Sequence, residues 1–110
     1  MSARNQQLGK TGEDIAARNL EKRGFRIVAR NVHMRHGEID IIAVRDGVLH
    51  IIEVKTRRND AFGAASQALT RSKFIKMKKS AAAWQHEQTQ RHGVIQYNFA
   101  AVTMEPTPRL

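Results

Sequence analysis

A chain of 110 residues without cysteine has room for one domain and a modest core, and cannot rely on disulfides or thiolate-bound zinc. Nineteen lysines and arginines against ten aspartates and glutamates leave a formal net charge of +9, which makes a polyanion, nucleic acid first, the expected partner. Aromatics are too scarce, at 5%, for a base-stacking platform; with no signal-peptide core and no run nearing the ~20 apolar residues of a membrane span, a soluble cytoplasmic protein with no membrane attachment is expected.

The chain reads as a single domain over 1–110, with residues 1–10 and the proline-containing 104–110 as mobile tails. A helix is expected over about 12–23, capped by Thr11 and stopped by Gly24. Glu13, Ala16, Ala17 and Leu20 share one stripe of it, so a carboxylate lies in line with apolar residues. Residues 25–31 read as a strand, 32–37 as a loop, and 38–45 and 48–56 as two further strands. A polar stretch follows, with a short helical piece near 64–69. Ser72 is the expected cap of a helix to about residue 90, with Phe74, Ile75, Met77, Ala81, Ala82 and Trp84 supplying apolar contacts. Gly93 stops it, and 94–102 forms the last strand. The order is α-β-β-β-α-β, which suits an α/β sheet covered by helices on both faces.

Asp46-Gly47 between two apolar runs signals a two-residue hairpin. That turn pairs Arg45 with Val48 and Ile42 with Ile51, and further out sets Asp40 opposite Glu53 and Glu38 opposite Lys55. Alternation places those last four residues on one face, and Ile39, Ile41, Ala43, Ile52 and Val54 on the other. Directly opposed carboxylates repel. A raised pKa, a neighbouring cation or a divalent metal would offset the repulsion, and two carboxylates with a lysine alongside suit a hard cation such as Mg²⁺. The same residues also admit a plain Glu38–Lys55 ion pair and a solvent-facing Asp40, and spacing does not separate the two readings.

The run "GEIDIIA" followed by "IIEVKTR" resembles the catalytic core of the PD-(D/E)xK, restriction-endonuclease-like nucleases, with Asp40 as first acid, Glu53 as second and Lys55 as the lysine. More narrowly, the chain resembles the YraN family over most of its length. The resemblance is carried by "GEDIAARNLEKRGFRIVARN" (12–31), "GEIDIIA", "EVKTR", and "FGAASQAL" leading into Lys73. It implies an αβββαβ core with a mixed sheet, and a Mg²⁺- or Mn²⁺-dependent endonuclease hydrolysing DNA phosphodiester bonds. Archaeal Holliday junction resolvases, which are related, carry a metal-site glutamate on the first helix. Glu13 matches that place, which implies a third metal-binding acid; the alternative is a first-turn glutamate facing the helix dipole. The same relationship implies preference for branched DNA, and a homodimer with two sites on one DNA stays open. Where YraN proteins usually carry Arg-Phe-Asp in the last strand, this chain has "QYNF", with Asn98 in place of the acid, and no role is assigned to that strand.

In the implied chemistry Asp40 and Glu53, with Glu13, hold the metal, while Lys55 orients the attacking water and offsets transition-state charge. Glu38 and Gln67 are accessory candidates, Gln67 reading equally as an exposed helical residue. Arg57, Arg58, Arg71, Lys73 and Lys76 are expected to follow the DNA backbone; Lys78 and Lys79 belong in part to a solvated face. His33 and His36 lack a third ligand and read as surface histidines, and Phe74 and Trp84 as core. Two other functions remain in view: a non-catalytic nucleic-acid-binding protein keeping the fold, and a basic adaptor or ribosome-associated protein.

Overall fold

The computed structural model describes residues 3–58, 70–89, 93–104, 108 and 110; the expected helical piece at 64–69 and Gln67 lie outside them. Its elements are α1 (Ala3–Lys22), β1 (Arg26–Met34), β2 (Gly37–Arg45), β3 (Val48–Arg57), α2 (Arg71–His86) and β4 (Ile95–Thr103). The expected α-β-β-β-α-β order is the observed one. The strands form one sheet in the order β1-β2-β3-β4, antiparallel at the first two junctions and parallel between β3 and β4.

Several boundaries move. Helix α1 begins at Ala3, so residues 3–10 are helical and Thr11 lies inside the helix. The run "ARNQQL" is rich in good helix formers and needs no cap at Thr11 to continue. Gly24, with φ 91, ends the helix, and Phe25 N–H returns to Leu20 O at 3.0 Å. Strand β1 runs on to Met34, where a loop was expected. The cap of α2 is Thr70, whose Oγ1 accepts the Lys73 N–H at 3.1 Å; Ser72 is already helical. The helix ends at His86, well before Gly93.

Each face of the sheet buries its own core. Ala16, Ala17 and Leu20 of α1 pack on Ile41, Ala43, Ile52 and Val102. Met77 and Ala81 of α2 pack on Ile39, Ile42, Leu49 and Ile51, with Trp84 alongside. The stripe of α2 is narrower than expected: Ile75 is 42% exposed and Ala82 also faces solvent. At Gly12 the helix approaches the sheet so closely that a Cβ would overlap the Thr56 side chain. That contact sets the first half of α1 directly over the far end of β3.

The Asp46-Gly47 turn forms as expected, with φ 52 and 76, the primed geometry that suits a two-residue hairpin. Pairing runs from Arg45↔Val48 to Ile41↔Ile52 and stops there. Past that point side-chain alternation also breaks. Ile39 and Ile42, three residues apart, share the α2 core, as do Val32 and Ala29 opposite them on β1. Between these pairs lie Asp40 and Asn31, facing positions missing from the β1–β2 ladder, and Asn31 has φ 52. A left-handed residue inside a strand rotates the pleat, so Ile39 turns away from Ile41 and toward α2, contrary to simple alternation.

Candidate active site

The break in the ladder determines what Asp40 does. Continued pairing would aim the Val54 N–H at the backbone of β2; instead it donates to Asp40 Oδ2 at 2.8 Å. Asp40 is half-buried at the rotated position. Burial raises its pKa, the Val54 N–H opposes that, Glu53 and Glu38 raise it further, and Lys73 lowers it. Asp40 therefore lies in the fields of carboxylates from two strands and an ammonium from α2.

Glu13 closes the group from the α1 side. Its pKa is raised first by burial and next by the field of Asp40, with Arg30 opposing. Its Oε1 is buried with no hydrogen-bond partner among the described residues. An orphaned carboxylate oxygen beside a second carboxylate is costly unless something positive joins it. The neighbouring Asp14 is treated differently: Arg30 Nη2 donates to its Oδ1 at 2.7 Å and holds it below the usual carboxylate range.

On the α2 side, Glu53 Oε1 meets Lys73 Nζ at 3.4 Å. Lys55 is exposed two residues along β3, on the same side of the strand as Glu53, and forms no salt bridge among the described residues. Glu38 is not opposite Lys55; it is 66% exposed and pairs with His33 across β1–β2 at 3.1 Å. Lys76 stands next to this end, its Cβ 3.8 Å from where a Cβ on Gly37 would lie. Arg58 and Arg71 are exposed near the chain ends that flank 59–69, whereas Arg57 Nε donates to Thr103 Oγ1 at 3.0 Å.

Asn98 pairs with Ile52 on β3, one residue from Glu53, and its side chain turns back to His50. Its Oδ1 accepts from His50 Nδ1 at 3.0 Å, and His50 meets Phe25 edge-on at 4.8 Å. Asn98 lines a cavity of about 360 Å³ with Leu20, Phe25 and Ile52. Lys73 is the site residue that sequence reasoning assigned to another task, as a backbone contact. The signal that would have found it is topological. A crossover helix between parallel strands starts above the C-terminal end of the first strand, so the first turn of α2 must overlie Glu53–Lys55.

The donors suit a hard divalent cation in kind: oxygen atoms, like charges in mutual repulsion, and one buried oxygen without a partner among the described residues. They do not enclose one, since no three acids or imidazoles among the described residues converge on a common point. Mg²⁺ commonly binds through one or two carboxylates while keeping waters and taking substrate phosphate oxygens. Asp40 and Glu53 fit that mode, with Glu13 behind them.

The fold and this acidic corner define a small α/β domain with a carboxylate cluster at one end of a mixed sheet. The chain belongs to the uncharacterised protein family UPF0102, whose family model matches residues 12–103. It is 36% identical over 107 residues to a UPF0102 protein of Rhodococcus opacus (strain B4), covering 97% of this chain and 91% of that one. It is 44% identical over 97 residues to one from Trichlorobacter lovleyi, covering 83% and 76%. Among solved structures, a repair endonuclease from Pyrococcus abyssi superposes on 83% of this chain with a TM-score of 0.43 and 23% identity. This chain spans 38% of that protein's length. Among the described residues no helix is long and apolar enough to cross a membrane.

Proposed function

We propose that the protein is a divalent-cation-dependent endonuclease that hydrolyses DNA phosphodiester bonds at the corner where β2 and β3 part. The observation that carries this reading is Asp40. It is withdrawn from its ladder, fixed by the Val54 N–H, and set in the fields of Glu13, Glu38, Glu53 and Lys73. A chain of net charge +9 that gathers four of its ten acids in one corner has put them where a bound cation would offset their repulsion of phosphate.

Asp40 and Glu53 would hold Mg²⁺ or Mn²⁺, with Glu13 as the third acid. Once bound, the cation would polarise the phosphate and lower the pKa of its water. Asp40 is positioned by its backbone hydrogen bond, so its free oxygen keeps a fixed direction. Lys55, exposed beside Glu53, orients the attacking water and offsets charge developing on the phosphate. Lys76, Arg58 and Arg71 supply exposed positive charge for the DNA backbone, which positions the duplex without reading its sequence.

A second reading, a nucleic-acid-binding protein that keeps the fold without cutting, draws support from the lack of a converged three-acid site among the described residues. Incubation of labelled duplex, flap and four-way-junction DNA with Mg²⁺ or Mn²⁺ decides between them. Cation-dependent cutting, strongest on the branched substrates, is expected. Salt-sensitive binding without cutting on any of the three establishes the second reading instead.

A further inference from the structure

We propose that Lys73 is a placeholder for the cation: its ammonium neutralises Glu53 in the cation-free protein, and cation binding releases it to contact nucleic-acid phosphate. This rests on reading the acidic corner as a cation site.

The geometry of the pair favours a temporary partner over a structural tie. Lys73 Nζ and Glu53 Oε1 lie 3.4 Å apart, while charge-assisted hydrogen bonds typically measure roughly 2.7–2.9 Å. The Arg30–Asp14 pair nearby, at 2.7 Å, shows what a settled ion pair looks like in this protein. Lys73 is half exposed and Glu53 mostly covered, so the lysine is the partner free to leave. Its backbone stays put when it does, because its N–H is held by Thr70 Oγ1 and α2 is anchored by Met77, Ser80 and Ala81. Only the four-carbon stem has to swing.

The charge balance points the same way. Lys73 meets Glu53 directly and its charge also reaches Asp40, so one ammonium acts on both acids assigned to the cation. Arg30 acts on Glu13, but one ammonium cannot offset both Asp40 and Glu53, and a divalent ion entering the same space would repel it. Released, Lys73 stands one helical turn from Lys76, on the side of α2 that borders Gly37 and the site.

Calorimetric titration with Mn²⁺ tests this on the wild type, Lys73→Met and Lys73→Arg, beside side-chain NMR of Lys73 during Mg²⁺ addition. Lys73→Met should bind Mn²⁺ about twofold to fivefold more tightly than wild type, the range set by losing one exposed ion pair. Lys73→Arg should return to the wild-type affinity. Mg²⁺ should move the Lys73 signals to the positions they take in Glu53→Gln. Equal or weaker Mn²⁺ binding by Lys73→Met, or Lys73 signals unmoved at saturating Mg²⁺, would make the pair a permanent tie and overturn the proposal. If neither wild type nor Lys73→Met binds Mn²⁺, the cation reading itself falls and the proposal with it, a failure distinct from the first.

Discussion

Asp40 Oδ2 takes the N–H of Val54, so a carboxylate occupies the place a ladder hydrogen bond would fill. The two central strands are joined by backbone near the turn and by a side chain at the other end. This makes the end of the sheet both an opening and an acidic site.

The acids make that opening sensitive to pH. Burial and mutual repulsion raise Glu13 and Asp40 above their ordinary values of 4.5 and 3.8. For raised carboxyls the stabilising contribution is complete below those ordinary values and is lost as pH climbs through the folded-state values. Glu13→Gln should therefore melt higher than wild type at neutral pH, with the gap closing near pH ~4. Thermal unfolding across pH checks this; a gap that widens in acid would refute it.

The seat of α1 on the sheet is set by one missing side chain. Gly12→Ala forces a methyl into the Thr56 side chain and should cost about 1–3 kcal/mol. Thr56→Ala should recover much of that in the double variant, as expected for residues in direct contact. A chemical-denaturation cycle measures the coupling, and additive effects would show that the helix shifts freely.

The pleat rotation beside the site depends on Asn31. At φ 52 a β-branched residue is strained, so Asn31→Val should destabilise by about 1–3 kcal/mol, and Asn31→Gly should be close to neutral. If the rotation positions Asp40, the valine variant should also weaken Mn²⁺ binding. Unchanged binding in a folded Asn31→Val protein would separate the two.

How much of this could be read in advance depends on the range over which each signal acts. The hairpin was legible because Asp46-Gly47 is a local turn code, and it set the register correctly as far as Ile41↔Ile52. Beyond Ile41, period-two counting put Ile39 on the wrong face, because the rotation comes from Asn31 on a neighbouring strand. An asparagine there is a weak hint at best. Glu13 was legible as an acid on an apolar stripe. Lys73 beside Glu53 and Asn98 beside His50 were not, since such pairs are made by the crossover and by sheet order, over separations of 20 and 48 residues. Thr11 and Ser72 failed as caps because a capping residue is recognisable only once the helix start is known.

Asn98 should matter for folding and not for cutting. Asn98→Ala leaves the Nδ1 of a buried histidine without its partner, a loss of about 1–3 kcal/mol. Its cleavage rate per folded molecule should match wild type; a large drop in that rate would bring β4 into the site.

The most direct test of the central claim is the cleavage of four-way-junction DNA in Mg²⁺ by Asp40→Asn and by Glu53→Gln, with DNA binding measured on the same preparations. Each variant should cut at least about a hundredfold more slowly. Each should bind DNA as well as wild type or better, since a negative charge has been removed. Cutting that survives both substitutions would contradict the assignment of this corner as the site of hydrolysis.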